Sequence, residues 1–196
     1  MPIAKEKPTL TPEAYLEWEK TSEIKHEYLD GDIFAMAGAT DSHVTVSGNL
    51  FALLKNHLRG NPCRTYISDM KIQVEQASAF FYPDVMVTCD ERDRQTDYFK
   101  RYPALIAEVL SESTAAFDRG RKFAAYRTLE NLREYVIIDP DSLSVECFRR
   151  DTEGHWVLYP FGPGETVELA SVDFSSPIET IYEGVEMDAT QNSHSQ

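Results

Sequence analysis

The chain has 196 residues, 42% of them apolar, with ten Tyr and ten Phe, enough apolar side chain to close a substantial core and to point to a folded rather than a disordered protein. Its net charge of −14 argues against tight nonspecific DNA binding through a basic face, because phosphate neutralisation supplies most of that affinity. No apolar run approaches the ~20 residues that span a bilayer, and MPIAKEKPTLTPEAY lacks the apolar segment of a signal peptide, so the reading is a soluble, cytoplasmic protein with no membrane partner.

Thr11-Pro12-Glu13 marks a helix start: a hydroxyl cap, proline in the first turn and an acid at the positive dipole end. This helix is expected to end near Lys20. Asp30-Gly31, at the centre of the stretch from Lys25 to Ala37, signals a tight hairpin, which puts Glu27 on a strand. Val46, Leu50, Leu53, Leu54 and Leu58 fall at helical spacing, with Asp41 or Ser42 as cap and Gly60 and Pro62 as the stop.

Arg64 to Val74 alternates as one strand and Phe80 to Thr88 reads as a second, the two joined as a hairpin. Ala104 to Leu110 is a near-continuous apolar run, as in a central strand covered on both faces; Glu108 is its one interruption. A helix is expected from about Ala115 to Leu129, with Asp118, Lys122 and Tyr126 along one face. YVIID, LSVECFRR and HWVLYPF then read as strands. Nothing divides the chain, so residues 1–196 are read as one domain with its core at about 11–183 and a frayed tail at 187–196. Cys63, Cys89 and Cys147 are isolated and odd in number; structural disulfides and a thiolate zinc site are not expected, and all three are read as small buried side chains.

The chemistry concentrates on two carboxylates. Glu108 and Asp84 each interrupt an apolar strand, and a buried unpaired charge costs several kcal/mol (roughly, after relaxation) unless a cation, a donor or a metal compensates it. Two such acids on neighbouring strands form a hard, oxygen-rich site suited to Mg²⁺ or Mn²⁺. The alternative is that each acid pairs with an arginine or accepts from a backbone N–H. His43 could reach the site as a base or simply pack; His57 and His155 show no ligand spacing. Ser111 and Ser113 lack a partnered His and Asp and read as caps. Arg119 and Arg121 could contact phosphate or lie on a solvated helix face.

The ordered set HEYLDGDIFAMAG, His43, FYPDVMV, LIAEVLSEST with Asp118, Lys122 and Tyr126, and EYVIIDP resembles the restriction-endonuclease family called Uma-two, within the PD-(D/E)XK nuclease superfamily. The resemblance runs from about Thr11 to Glu183. It implies an α/β (α+β) fold, a restriction-endonuclease-like mixed β-sheet flanked by helices. It also implies a Mg²⁺- or Mn²⁺-dependent endonuclease acting on nucleic acid, DNA rather than RNA, with a homodimer as the assembly that would suit palindromic targets. Asp84 and Glu108 become metal ligands and Glu27 a further one. The superfamily's lysine stands two residues after the glutamate, where this chain has Leu110, so Lys122 on the following helix is implied as the catalytic lysine, with Lys71 as rival. The displaced lysine and the acidic surface leave a second reading, a catalytically silent binding or regulatory module on the same fold.

Overall fold

The computed structural model describes residues 10–187. Helix α1 (Pro12–Glu19) begins as expected, with the Thr11 hydroxyl accepting from the Ala14 N–H. Strands β1 (His26–Leu29) and β2 (Asp32–Ala35) form the Asp30-Gly31 hairpin, both turn residues at positive φ. Helix α2 (Asp41–His57) is capped by Thr40, whose hydroxyl accepts from the His43 N–H. The cap thus lies one residue before the Asp41 and Ser42 expected from sequence: Thr40 is the last residue with extended backbone, and only from there can its hydroxyl reach back to the third amide.

The next two strands each break in two. In place of one strand over 64–74 there are β3 (Arg64–Ile67) and β4 (Lys71–Val74), separated where Ser68 adopts φ 50°. In place of one strand over 80–88 there are β5 (Ala79–Phe81) and β6 (Val85–Thr88), separated by Pro83, which cannot donate to a ladder. The pairing between them holds: β4 pairs with β5 and β3 with β6, all antiparallel. They form one two-stranded ribbon that leaves one sheet and enters another.

Short β7 (Phe99–Lys100) leads into β8 (Pro103–Val109), which lies between antiparallel β6 and parallel β9 (Glu134–Asp139). A parallel neighbour needs a crossover, supplied by α3 (Ala115–Phe117), a π-helical turn (Asp118–Lys122) and α4 (Phe123–Tyr126). A single regular helix to Leu129 was expected; the extra residue of a π turn is invisible to 3.6-residue periodicity, and such turns recur at functional sites. Strands β10 (Ser144–Arg150) and β11 (Trp156–Phe161) follow as anticipated. A further hairpin, β12 (Thr166–Leu169) with β13 (Phe174–Pro177), and a turn of helix, α5 (Ile178–Ile181), were not. Met187 is the only residue of the anticipated tail among those described.

The sheet orders are β2-β1-β5-β4-β7 and β11-β10-β9-β8-β6-β3. The larger sheet is apolar on both faces. Leu105, Ala107, Val85, Val87, Val136 and Ile138 pack with Val46, Leu50 and Leu54 of α2, while Ile106, Met86, Tyr135 and Ile137 pack with Tyr126 and with Ile72, Val74 and Phe81 of the smaller sheet. Glu108, two residues after Ile106, takes the second face, between the sheets and beside the π turn. One expectation is corrected outright: Cys63 and Cys89 form a disulfide. They lie one step beyond the Arg64–Thr88 pair of the β3–β6 ladder, a juxtaposition created by strand pairing across 26 residues of sequence. Cys147 is free and buried, as read.

Candidate active site

Four side chains meet where the sheets join. Glu27 comes from β1 of the smaller sheet, Glu108 from β8 of the larger, and Asp118 and Lys122 from the π turn. Lys122 Nζ lies 3.0 Å from Glu27 Oε1, 3.2 Å from Glu108 Oε1 and 3.2 Å from Asp118 Oδ1. Glu108 is 3% exposed and Lys122 5%. The Tyr126 hydroxyl donates to Glu108 Oε1 at 2.9 Å, and the Tyr82 N–H donates to Glu27 Oε1 at 3.2 Å. The Tyr135 hydroxyl donates to the Asp118 carbonyl at 3.0 Å. Lys122 also lies 5.6 Å from the centre of the Phe81 ring, so its stem passes through an apolar wall.

Asp84 stands at the crossing of the ribbon, immediately before β6. Its Oδ2 accepts from the Val109 N–H at 2.8 Å, next to Glu108 in the chain, and its Oδ1 is 3.0 Å from His43 Nε2. Its carbonyl accepts from the Ser68 N–H at 3.0 Å, tying the two breaks of the ribbon together. His43 is therefore part of the site, positioned by the first turn of α2.

The charges are strongly coupled. Burial pushes the Glu108 carboxyl well above the usual carboxylate range; Lys122 opposes this, and Asp118, Asp84 and Glu27 add to it. Burial disfavours the Lys122 ammonium, yet Glu108, Glu27 and Asp118 outweigh it and hold the amine protonated far into alkali. For His43, burial is outweighed by the hydrogen bond and attraction of Asp84, so its pKa is raised. Burial first, then Glu108, raises the Tyr126 hydroxyl.

Of the lysines weighed from sequence, Lys122 reaches the acids. Lys71 instead sits over the Tyr82 ring at 4.9 Å, its pKa lowered by burial and by Lys25. Arg119 pairs with Glu146. His57 Nε2 lies 3.0 Å from the Val172 carbonyl, and Ser111 Oγ accepts from the Thr114 N–H as a cap. Sequence reasoning missed Tyr82 and Tyr135 as supports of the site. It also missed the adjoining network in which the Glu19 carboxylate accepts from the His26 N–H and the Tyr82 hydroxyl, both at 2.9 Å. A buried glutamate at a helix end gives no periodic signal.

Among the described residues, no three His, Cys, Asp or Glu side chains converge as a preformed metal cage; the ammonium of Lys122 stands between the carboxylates. The donor chemistry nonetheless fits a hard divalent cation. Glu27, Glu108, Asp118 and Asp84 face a single lysine and one histidine, and the enclosed Asp118 Oδ1 makes no hydrogen bond, its compensation being the ion pair alone.

The mixed sheets and flanking helices that carry these residues form a restriction-endonuclease-like α+β fold. A solved structure from Anabaena variabilis, described as "a putative nuclease belonging to DUF820", superimposes with a TM-score of 0.73 at 16% identity, covering 88% of this chain and 97% of that one. The family model described as "Putative restriction endonuclease" matches residues 12–179, and the chain belongs to this Uma2 family. Two Synechocystis sp. proteins, both described as uncharacterized, are similar along most of their length. One, slr1290, is 40% identical over 178 residues, 91% of this chain and 94% of the relative. The other, sll1609, is 36% identical over 163 residues, 82% of this chain and 91% of the relative. No helix among the described residues is long and apolar enough to cross a membrane.

Proposed function

We propose that this protein is a metal-dependent endonuclease that hydrolyses phosphodiester bonds in DNA. The observation that supports the reading is the convergence of Glu27, Glu108 and Asp118 on Lys122 beside Asp84, in a chain of the Uma2 family. Asp84 and Glu108 would hold Mg²⁺ or Mn²⁺, with Glu27 a further ligand. Such an ion supplies Lewis acidity and hydroxide at neutral pH. The chain's own groups do the rest. The Val109 N–H and His43 fix both oxygens of Asp84, and Tyr126 fixes Glu108 Oε1. Lys122, kept protonated, orients the attacking water and offsets negative charge gathering on the phosphoryl oxygens.

The test is nicking of supercoiled plasmid in Mg²⁺ and in Mn²⁺ by wild type, Asp84→Ala and Glu108→Ala, with single-stranded DNA and RNA as parallel substrates. Metal-dependent nicking that both substitutions abolish supports the assignment; nicking that survives them refutes it. A second reading, a silent module that binds without cutting, is favoured by one observation, the ammonium of Lys122 standing between the carboxylates. Mn²⁺ titration calorimetry separates the two, since a silent site would take up no ion.

A further inference from the structure

At the opposite end of α2 from His43 there is a cavity of about 460 Å³ lined by Lys55, Arg59, Cys63, Arg64, Thr65 and Tyr66 among others, with no carboxylate in its wall. Three features separate it from an ordinary solvated rim. Lys55, Arg59 and Arg64 have no carboxylate partner among the described residues: Lys55 lies over the Phe51 ring at 5.1 Å, and Arg59 donates to Asn56 Oδ1 at 3.0 Å. The Thr65 hydroxyl oxygen is enclosed and makes no hydrogen bond. Finally, this concentration of positive charge occurs in a chain of net charge −14, where many other cations are already paired, as in Lys20–Glu17, Arg92–Asp90 and Arg149–Glu134.

Cations in the last turn of a helix complement its dipole, which accounts for Lys55. It does not account for Arg64, which belongs to the start of β3. Nor does a dipole of about half a charge neutralise three whole ones. Beside the cavity, Arg94 donates to the Pro62 carbonyl at 3.2 Å, with Glu91 3.7 Å away.

We propose that this cavity is a second nucleic-acid contact, in which Lys55, Arg59 and Arg64 grip the sugar-phosphate backbone of a duplex whose scissile bond lies at the acid cluster. The inference rests on the nuclease reading above and names how an acidic protein holds an anionic substrate. Two elements connect it to the chemistry. Helix α2 runs from His43, on Asp84, to Lys55, twelve residues or roughly 18 Å along its axis. Strand β3 runs back from Arg64 towards Ser68, which donates to the Asp84 carbonyl. At 3.4 Å per phosphate along one strand, 18 Å corresponds to about five base pairs. The cavity thus grips duplex flanking the cut and adds affinity without touching the reacting atoms.

The test is fluorescence anisotropy of labelled duplexes with the full chain, in EDTA and in Ca²⁺, across a salt series. Wild type is compared with the triple variant Lys55→Ala/Arg59→Ala/Arg64→Ala, whose exposed positions leave the core intact; thermal melting verifies this. Expected are an affinity loss on the order of tenfold or more and a salt slope shallower by up to about 2.7, at 0.9 per phosphate contact. For wild type only, affinity should fall when the duplex beyond the cut is shortened below about five base pairs. Equal affinity and slope in the two proteins, with wild type binding DNA, would overturn the cavity assignment and leave the nuclease reading in place. Failure of wild type to bind any duplex in either buffer would overturn both. Complete displacement of duplex by equimolar AMP would make this a mononucleotide pocket and overturn the backbone assignment.

Discussion

Lys122 Nζ stands 3.2 Å from Glu108 Oε1, and the same ammonium is 3.0 Å from Glu27 on the other sheet. One buried cation therefore holds together carboxylates that would otherwise repel. Removing one partner of such a pair strands the other charge in a low dielectric. Lys122→Met is expected to lower stability by about 3–5 kcal/mol, read from the urea midpoint at constant slope. Adding Glu108→Gln should restore part of the loss. A single variant as stable as wild type would mean that the cluster sheds its charge by protonation instead.

His43 acts on Asp84 through Nε2. His43→Ala leaves Asp84 held by the Val109 N–H alone, and loss of a supporting partner of this kind typically lowers metal affinity or activity 10–100-fold. The expected result is a fall of about that size in plasmid nicking and in Mn²⁺ affinity with an unchanged circular dichroism spectrum. Full activity in the variant would reduce His43 to packing.

The disulfide between Cys63 and Cys89 closes a loop of 26 residues. Denatured but unreduced protein should show one titratable thiol, Cys147, and reduced protein three. Reduction, or the Cys63→Ser/Cys89→Ser pair, should lower stability by about 2–4 kcal/mol. Three thiols in carefully unreduced protein would show that the bond does not form where the protein is made, as in a reducing compartment.

Asp90 caps the turn that follows β6. Above all the hydrogen bonds from Arg92, and also one from Asn131, hold its carboxyl down at about 2. A depressed carboxylate contributes stability that is present above its unfolded value of 3.8 and is lost as pH falls through the folded value. The gap in urea midpoint between wild type and Asp90→Asn should hold steady at neutral pH, narrow below about pH 4 and close near pH 2. A gap independent of pH would assign the effect to shape rather than charge.

Much of this was legible because the responsible signals are local. Asp30-Gly31 can do little other than turn a hairpin, and a lone Glu108 in ALIAEVL must find compensation wherever the strand lies. The breaks at Ser68 and Pro83 were hidden inside runs whose alternation continues across them; the backbone turns there because two sheets must be served, a tertiary demand. The π turn keeps Asp118 and Lys122 in contact at the i,i+4 spacing read from sequence, while its wider turn leaves no mark on 3.6-residue periodicity, and the Cys63–Cys89 bond follows from strand register. Tyr82 and Tyr135 join the site through contacts that no spacing encodes.

The ribbon of β3–β4 and β5–β6 has a bearing on the life history of the chain. Glu27 rides on one sheet, Glu108 on the other, Asp84 on the crossing between them, and Lys122 arrives only with the helix made after β8. A nascent or partly folded molecule holds at most fragments of this set. On the proposed function, cutting power requires both sheets and the crossover helix to be in place together, so a copy that has formed only one sheet would not cut.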